Sequence, residues 1–454
     1  MSLPVTRIVR DWVAMAETSV NGRRSVASGV RRAAGRARQD RIYRDGIHGR
    51  RPRVPTDFAT LERRAKRKAR AIGWAYAAGG AGEGATMRAN REAFERWKIV
   101  PRMLRDVSRR DIGVELFGRR IPAPVLFGPV GAAELLHPEA DVAIARAAAE
   151  LGVPYIFTSQ ACAPMEECAA VMGEAPRWFQ LYWSTDEGLV DSFLARARAA
   201  GAEAVVVTLD TTMLGWRTMD LNLGYLPFAR GRGIAQYTAD GRFRQIVRER
   251  LAAADGGTGG DVKVSLGAIK TLISISRSFP GSFLENLRSP EPRAAVATFL
   301  DIYSRPSLTW RDIETLRDRT DLPILLKGIQ HPDDARRAVE AGVDGIVVSN
   351  HGGRQVDGAI GSLDALADIA PVVDGKARLL LDSGVRGGSD VFKAIALGAD
   401  AVLIARPYLY GLALAGWEGA RDVVANIIAE FDLTMGLSGL TSVAEIGRDA
   451  LRQI

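Results

Sequence analysis

Cysteine is nearly absent from this 454-residue chain, with Cys162 and Cys168 the only two. Two thiols make neither a disulfide framework nor a zinc site, which leaves a reducing cytoplasm as the default compartment. Histidine is scarce too, at four residues, and none belongs to a cluster with metal-ligand spacing. No apolar run reaches the roughly 18 to 20 residues of a membrane span. Acidic residues are sparse in one region only. Residues 1–70 carry 19 Lys and Arg against 6 Asp and Glu, an excess of 13 positive charges. The whole chain is +8, so the remainder carries −5. A nucleic-acid-binding body would need a basic face of its own, and this body is mildly acidic.

What is present is a basic head, then a regular rhythm. In residues 1–40, Val5, Ile8, Val9, Trp12, Val13 and Ala16 follow helical spacing, and Arg23, Arg24, Arg31, Arg32, Arg36 and Arg38 come after them. Such a basic extension suits peripheral contact with an anionic membrane, a targeting role, or a solvated or partner-docking tail. Residues 41–60 read as a linker or wrapping arm and 58–75 as a basic helix, within a helical arm over 41–120. From about residue 121, eight strand-like runs alternate with Ala-rich helical segments. The runs are 125–130, 155–159, 178–182, 204–209, 324–329, 345–350, 379–384 and 401–406. Eight such units predict an α/β fold, a closed (β/α)8 TIM barrel, over 121–454. The rival is a doubly wound open sheet, whose Gly-rich fingerprint after the first strand is missing. The rhythm breaks after the fourth strand. A long insertion at about 228–306 is expected as a partly mobile lid, with helices near 243–253 and 290–303 and a flexible glycine run at 256–260.

The stretch Ser349-Asn350-His351-Gly352-Gly353-Arg354-Gln355 follows the apolar run 345–348. A histidine there can take a proton near neutral pH. An arginine can clamp a carboxylate with two parallel hydrogen bonds. The pairing points to chemistry on a small organic acid; the alternative is a surface turn with a chance His and Arg. Barrel enzymes carry their chemistry at strand C-termini. Those ends supply Pro129, Val130 and Gly131, then Thr158, then Gln180 and Tyr182, then Thr208 and Asp210 with Arg217 soon after. The later ends supply Lys327, then Ser349, His351 and Arg354, then Asp382, Gly384 and Arg386, then Ala405 and Arg406. The last two ends, with glycines nearby, match a barrel phosphate site and predict a phosphorylated cofactor. An Asp beside the His would orient it and raise its basicity.

Taken together, Leu326-Lys327-Gly328, Phe179-Gln180-Leu181-Tyr182, Thr208-Leu209-Asp210-Thr211, Asp382-Ser383-Gly384-Val385-Arg386 and the histidine stretch resemble the FMN-dependent L-2-hydroxy-acid oxidase and dehydrogenase family. The resemblance runs from about Tyr76 to the C-terminus. Within the family, 327–337, 215–217 and Gly131 are most similar to the lactate 2-monooxygenases. The resemblance implies FMN as cofactor, a small 2-hydroxy acid as substrate, oxygen as acceptor, and a homotetramer or homo-octamer. It implies that His351 is the base and Asp210 its partner. Tyr76, Tyr182, Arg217 and Arg354 would hold substrate, and Lys327 would face the flavin N1/O2 edge. Pro129, Val130, Gly131, Thr158, Gln180, Thr208 and Ser349 would contact flavin and ribityl chain. Asp382, Gly384, Arg386, Ala405 and Arg406 would hold the ribityl end and phosphate. The chain departs from the pattern at Gln160, where plant glycolate oxidase has tryptophan, and at Ala405, which replaces a usual glycine. Two other readings stand beside this one. One is a dehydrogenase passing electrons to quinone or another carrier at a membrane; the other is a flavin-binding protein of low turnover.

Overall fold

The computed structural model describes residues 34–254 and 265–454. The helical spacing at 5–16, the arginines before residue 34 and the glycine run at 256–260 lie outside the described residues. Eight parallel strands close a barrel, as expected. They are β1 (Val125–Phe127), β2 (Tyr155–Phe157), β3 (Arg177–Leu181), β4 (Val205–Thr208), β5 (Ile324–Ile329), β6 (Gly345–Val348), β7 (Arg378–Leu381) and β8 (Ala401–Ile404). β8 returns to β1 through Val402 against Val125 and Ile404 against Phe127. Strands covered on both faces need near-continuous apolar runs, which these have.

The strand period of two sorts these runs into layers. Leu126, Ile156, Trp178, Val206, Leu325, Val347, Leu380 and Leu403 belong to one buried cluster that fills the barrel. The hairpin Val114–Leu116 and Arg119–Ile121 adds Leu116 and Ile121 to the same cluster. Its turn residue Phe117 packs edge-on to Trp178, at 5.5 Å between ring centroids. Two residues beyond each barrel-filling residue stands Gly128, Thr158, Gln180, Thr208, Lys327, Ser349, Asp382 or Ala405. The interior therefore changes from apolar to polar within one pleat at the C-terminal end of six of the eight strands, with the small Gly128 and Ala405 at the other two.

Helices wrap the outside, from Ala140–Leu151 to the kinked Arg406–Leu437. The insertion is helical. Gly241–Ala254 and Glu291–Ile302 lie near the two predicted positions, with Leu266–Ser278 and Phe283–Arg288 between them. Phe228, Tyr237, Phe243 and Phe299 join it to the core as buried aromatics, Tyr237 and Phe299 meeting at 4.7 Å. The reading of 41–60 as linker needs correction at its start. A helix runs over Ala34–Ile47 and docks on the last helix, with Gly35 N donating to Asp432 Oδ2 at 2.8 Å and Arg38 Nε to Asn426 Oδ1 at 2.8 Å. Its docking face is polar, so no apolar stripe advertised it. The basic helix expected at 58–75 divides into Phe58–Lys68, capped by Asp57, and Ala71–Ala78. The second of these delivers Tyr76 to the barrel mouth.

Candidate active site

The polar layer opens into a cavity that is continuous with solvent at its mouth. Tyr76, Pro129, Val130, Gly131, Thr158, Gln180, Tyr182, Arg217, Lys327, His351, Arg354, Asp382, Gly384, Arg386, Ala405 and Arg406 all line it. Three residues expected at the site lie behind that wall. Asp210 backs His351, Ser349 backs Lys327, and Thr208 accepts from Gln180 Nε2 at 3.0 Å. Ala77, Gly128, Gly352, Ser383, Val385, Leu403 and Leu409 also line the cavity and were not singled out. Strand alternation could have found Gly128 and Leu403. Ala77 arrives on the arm and carries no local signal.

His351 Nδ1 lies 2.8 Å from Asp210 Oδ1. Burial opposes the Asp210 charge, but His351 and Lys327 outweigh it and hold the carboxyl below its usual range. An ionised carboxylate only accepts, so Nδ1 carries the proton and Nε2 keeps its lone pair. His351 itself is held below the ordinary histidine value, first by burial and then by Lys327 and Arg217, although Asp210 pulls the other way. The expectation of raised basicity therefore holds for Asp210's own influence and fails for the sum. The outcome is an imidazole that stays neutral at neutral pH.

The backbone at His351 is left-handed, φ +57°, and so is Ser383, φ +82°. Each costs about 1–2 kcal/mol. Ser349 Oγ and Ser383 Oγ hold this turn, accepting from His351 N at 3.0 Å and Gly352 N at 2.8 Å. Gly328, at φ +114°, lets Asp210 approach, since a Cβ there would lie 2.9 Å from Asp210 Cβ.

Lys327 is 3% exposed. Burial disfavours its ammonium, yet Asp382, with Oδ2 3.1 Å away, and Asp210 raise it above the usual lysine value. It stays charged. Burial pushes the Tyr182 phenol up to about 12, so that hydroxyl keeps its proton. Arg354 donates to the carbonyls of Tyr76 and Gly79 and stacks over the Tyr76 ring at 4.9 Å. Burial, then Arg217, push it down to about 9.

Arg386 and Arg406 share the other end of the cavity. Among the described residues neither guanidinium forms an ion pair. Arg406 donates to the carbonyls of Ala77, Gly79 and Gly352, while Arg386 lies over the Phe58 ring at 4.3 Å. Burial, then Arg406, push Arg386 down to about 10; Arg406 is lowered as well, chiefly by burial. Glu62 and Asp382 only partly oppose this lowering, so two cations enclosed without an ion pair make a site that an anion would relieve. The Gly388 amide near this end is already taken, donating to Glu430 Oε2 at 2.8 Å.

Residues 65–453 match the family described as FMN-dependent dehydrogenase. The chain belongs to that family. It is an FMN-dependent oxidoreductase, and the unpaired Arg386–Arg406 end fits the phosphate of FMN. An FMN-dependent alpha-hydroxy acid dehydrogenase of Penicillium citrinum is 43% identical over 92% of this chain and 95% of its own length. An L-lactate oxidase of Lysinibacillus sphaericus is 42% identical over 86% and 90%. A solved mandelate oxidase with (S)-4-hydroxymandelic acid superposes with a TM-score of 0.71 at 36% identity, covering 88% of this chain and 98% of that one. Among the described residues no group of His, Cys, Asp and Glu could hold a metal ion. No described helix is long and apolar enough to cross a membrane.

Proposed function

We propose that this protein oxidises a short L-2-hydroxy acid, L-lactate or a close analogue, to the 2-oxo acid, with molecular oxygen as electron acceptor. The observation that carries this reading is the 2.8 Å pair of His351 and Asp210 beside a cavity that also holds Arg217, Arg354, Tyr76 and Tyr182. His351 Nε2 takes the substrate proton, and the Asp210 carboxylate stabilises the imidazolium that results. Arg217 and Arg354 hold the substrate carboxylate. Tyr182, kept protonated, donates to the substrate oxygen, and Tyr76 closes the same end. Gln160 and Gly131 line the same cavity.

FMN, when bound, supplies the two-electron acceptor for the acid and the donor for oxygen. Pro129, Val130, Gly131, Thr158, Gln180 and Lys327 would hold its ring system. Asp382, Gly384, Ala405, Arg386 and Arg406 would hold its ribityl chain and phosphate. Thr208 and Ser349 act from behind, by fixing Gln180 and Lys327. The charged Lys327 favours negative charge gained by a neighbour. The likeness of 327–337 to the lactate 2-monooxygenases supports a 2-oxo acid that stays bound and is decarboxylated by peroxide, giving acetate, carbon dioxide and water from lactate.

A product assay with the yellow holoenzyme, L-lactate and air tests this. Peroxide, pyruvate and acetate are followed together. Acetate with little peroxide establishes the monooxygenase, and pyruvate with stoichiometric peroxide establishes an oxidase. Bleaching that air does not reverse overturns oxygen as acceptor. No bleaching overturns lactate as substrate.

A further inference from the structure

Gln355 lies four residues past His351 on the loop leaving β6, outside the cavity wall, yet it touches two parts of the proposed machinery. Its amide is used at both ends. Oε1 accepts from Arg217 at 3.0 Å and from Gly215 N at 3.3 Å. Nε2 donates to the carbonyl of Asp210 at 2.6 Å and to that of Met213 at 2.9 Å. All four partners belong to the loop that leaves β4. That loop and the one leaving β6 approach so closely that a Cβ on Gly215 would lie 2.5 Å from the Arg354 carbonyl. Arg217 Nε also donates to that carbonyl, at 3.4 Å. The arm completes the clasp, with Ala81 N bonded to Gly353 O at 2.8 Å and Gly82 N to Trp216 O at 2.9 Å.

The consequence for Arg217 is specific. Its guanidinium has an acceptor on the side-chain amide of Gln355 and another on a main chain, so its plane is fixed before substrate arrives. A neutral amide fixes the arginine without cancelling its charge, as a carboxylate would. A pre-oriented fork loses less freedom when it binds a carboxylate. On the other arm, the two carbonyls fix the chain that carries Asp210.

We infer that Gln355 is a positioning residue for the substrate anchor: its amide holds Arg217 in carboxylate-binding orientation and ties the Asp210 segment to the histidine loop. This rests on the proposed role of Arg217 as a carboxylate anchor. Removing the amide loosens an anchor that acts before the chemical step and in it, so it raises KM more than it lowers kcat.

The test is a double-mutant cycle on the FMN-loaded enzyme, with Gln355→Met, Arg217→Met and both together. Kinetics with L-lactate and inhibition by a 2-oxo acid are read in each. Gln355→Met is expected to raise KM and the 2-oxo-acid inhibition constant by about tenfold or more, equivalent to about 1.4 kcal/mol, with kcat within about threefold. The double variant should then raise KM and the inhibition constant no further than Arg217→Met alone, since Gln355 acts on carboxylate binding through the arginine. Gln355→Glu, which needs no new packing, should raise KM as well, because a carboxylate there draws Arg217 into an ion pair. Fully additive effects, or unchanged KM in both Gln355 variants, would overturn the inference. An unchanged KM in Arg217→Met itself overturns the anchor role first, and the inference with it.

Discussion

At the scale of single residues, the site is decided by which groups keep their charge. Lys327, Asp210 and Asp382 stay ionised although enclosed, because each offsets another's burial. His351 is tuned the opposite way and stays neutral. A base must be neutral to work, so kcat/KM should hold at neutral pH and fall on the acid side. Its apparent midpoint should lie below the ordinary histidine value of about 6.5. Asp210→Asn removes the influence that raises the imidazole. The acid limb should therefore move to still lower pH while kcat falls. A limb that moved upward would contradict the charge assignment. His351→Gln should cut kcat by about 10²–10⁴-fold and leave FMN bound, as read from absorbance of the purified protein. Persistent flavin reduction near the normal rate would remove His351 as the base.

At the scale of elements, the strands were legible and several of their consequences were too. Continuous apolar runs such as Val205–Thr208 admit no surface strand, and eight of them in alternation with helices closed as expected. Site residues at strand ends were legible for the same reason, since period two fixes which side chains turn inward. Three things were not. The Ala34–Ile47 helix buries polar groups against Asp432 and Asn426, and partners almost 400 residues away leave no local pattern. Asn90 and Asn350 pair reciprocally at 2.7 and 2.9 Å across the arm, again with no signal in either neighbourhood. The sum of charges on His351 could not be read at all, because it depends on Lys327 and Arg217 arriving from other strands. Close loop packing is a further hidden property. A Cβ on Gly131 would lie 2.8 Å from Gln160 Cβ and 3.2 Å from its carbonyl. The main-chain contact cannot rotate away, so Gly131→Ala should destabilise the protein by about 1–3 kcal/mol. Adding Gln160→Gly removes the Cβ contact, one of the two clashes, so the pair should lose less than the sum of the single changes. Thermal unfolding of the FMN-loaded variants measures this, and strict additivity would mean the two loops do not bear on each other.

At the scale of the whole molecule, the barrel concentrates like charge where eight strands converge. The insertion supplies an aromatic seam and the arm supplies Tyr76, but the strongest unbalanced feature is the Arg386–Arg406 end. Both arginines are lowered mainly by burial, and although Glu62 acts on both and Asp382 on Arg406, the net shift stays downward and no carboxylate forms an ion pair with either among the described residues. The fold without an anion bears this strain, and FMN removes it while adding its own binding energy. A ligand at one hundred times its Kd stabilises by about 2.7 kcal/mol, so loading should raise the unfolding temperature. Riboflavin, which has no phosphate, should raise it much less at equal concentration. Arg386→Met separates the two contributions. It keeps an unbranched stem against Phe58 and removes one of the two facing cations. The flavin-free variant should therefore unfold at a higher temperature than the flavin-free wild type, while the FMN-saturated variant unfolds at a lower one. An arginine that served packing alone would lower both. That crossing of signs is the measurement that decides whether the charge at this end is stored for the phosphate.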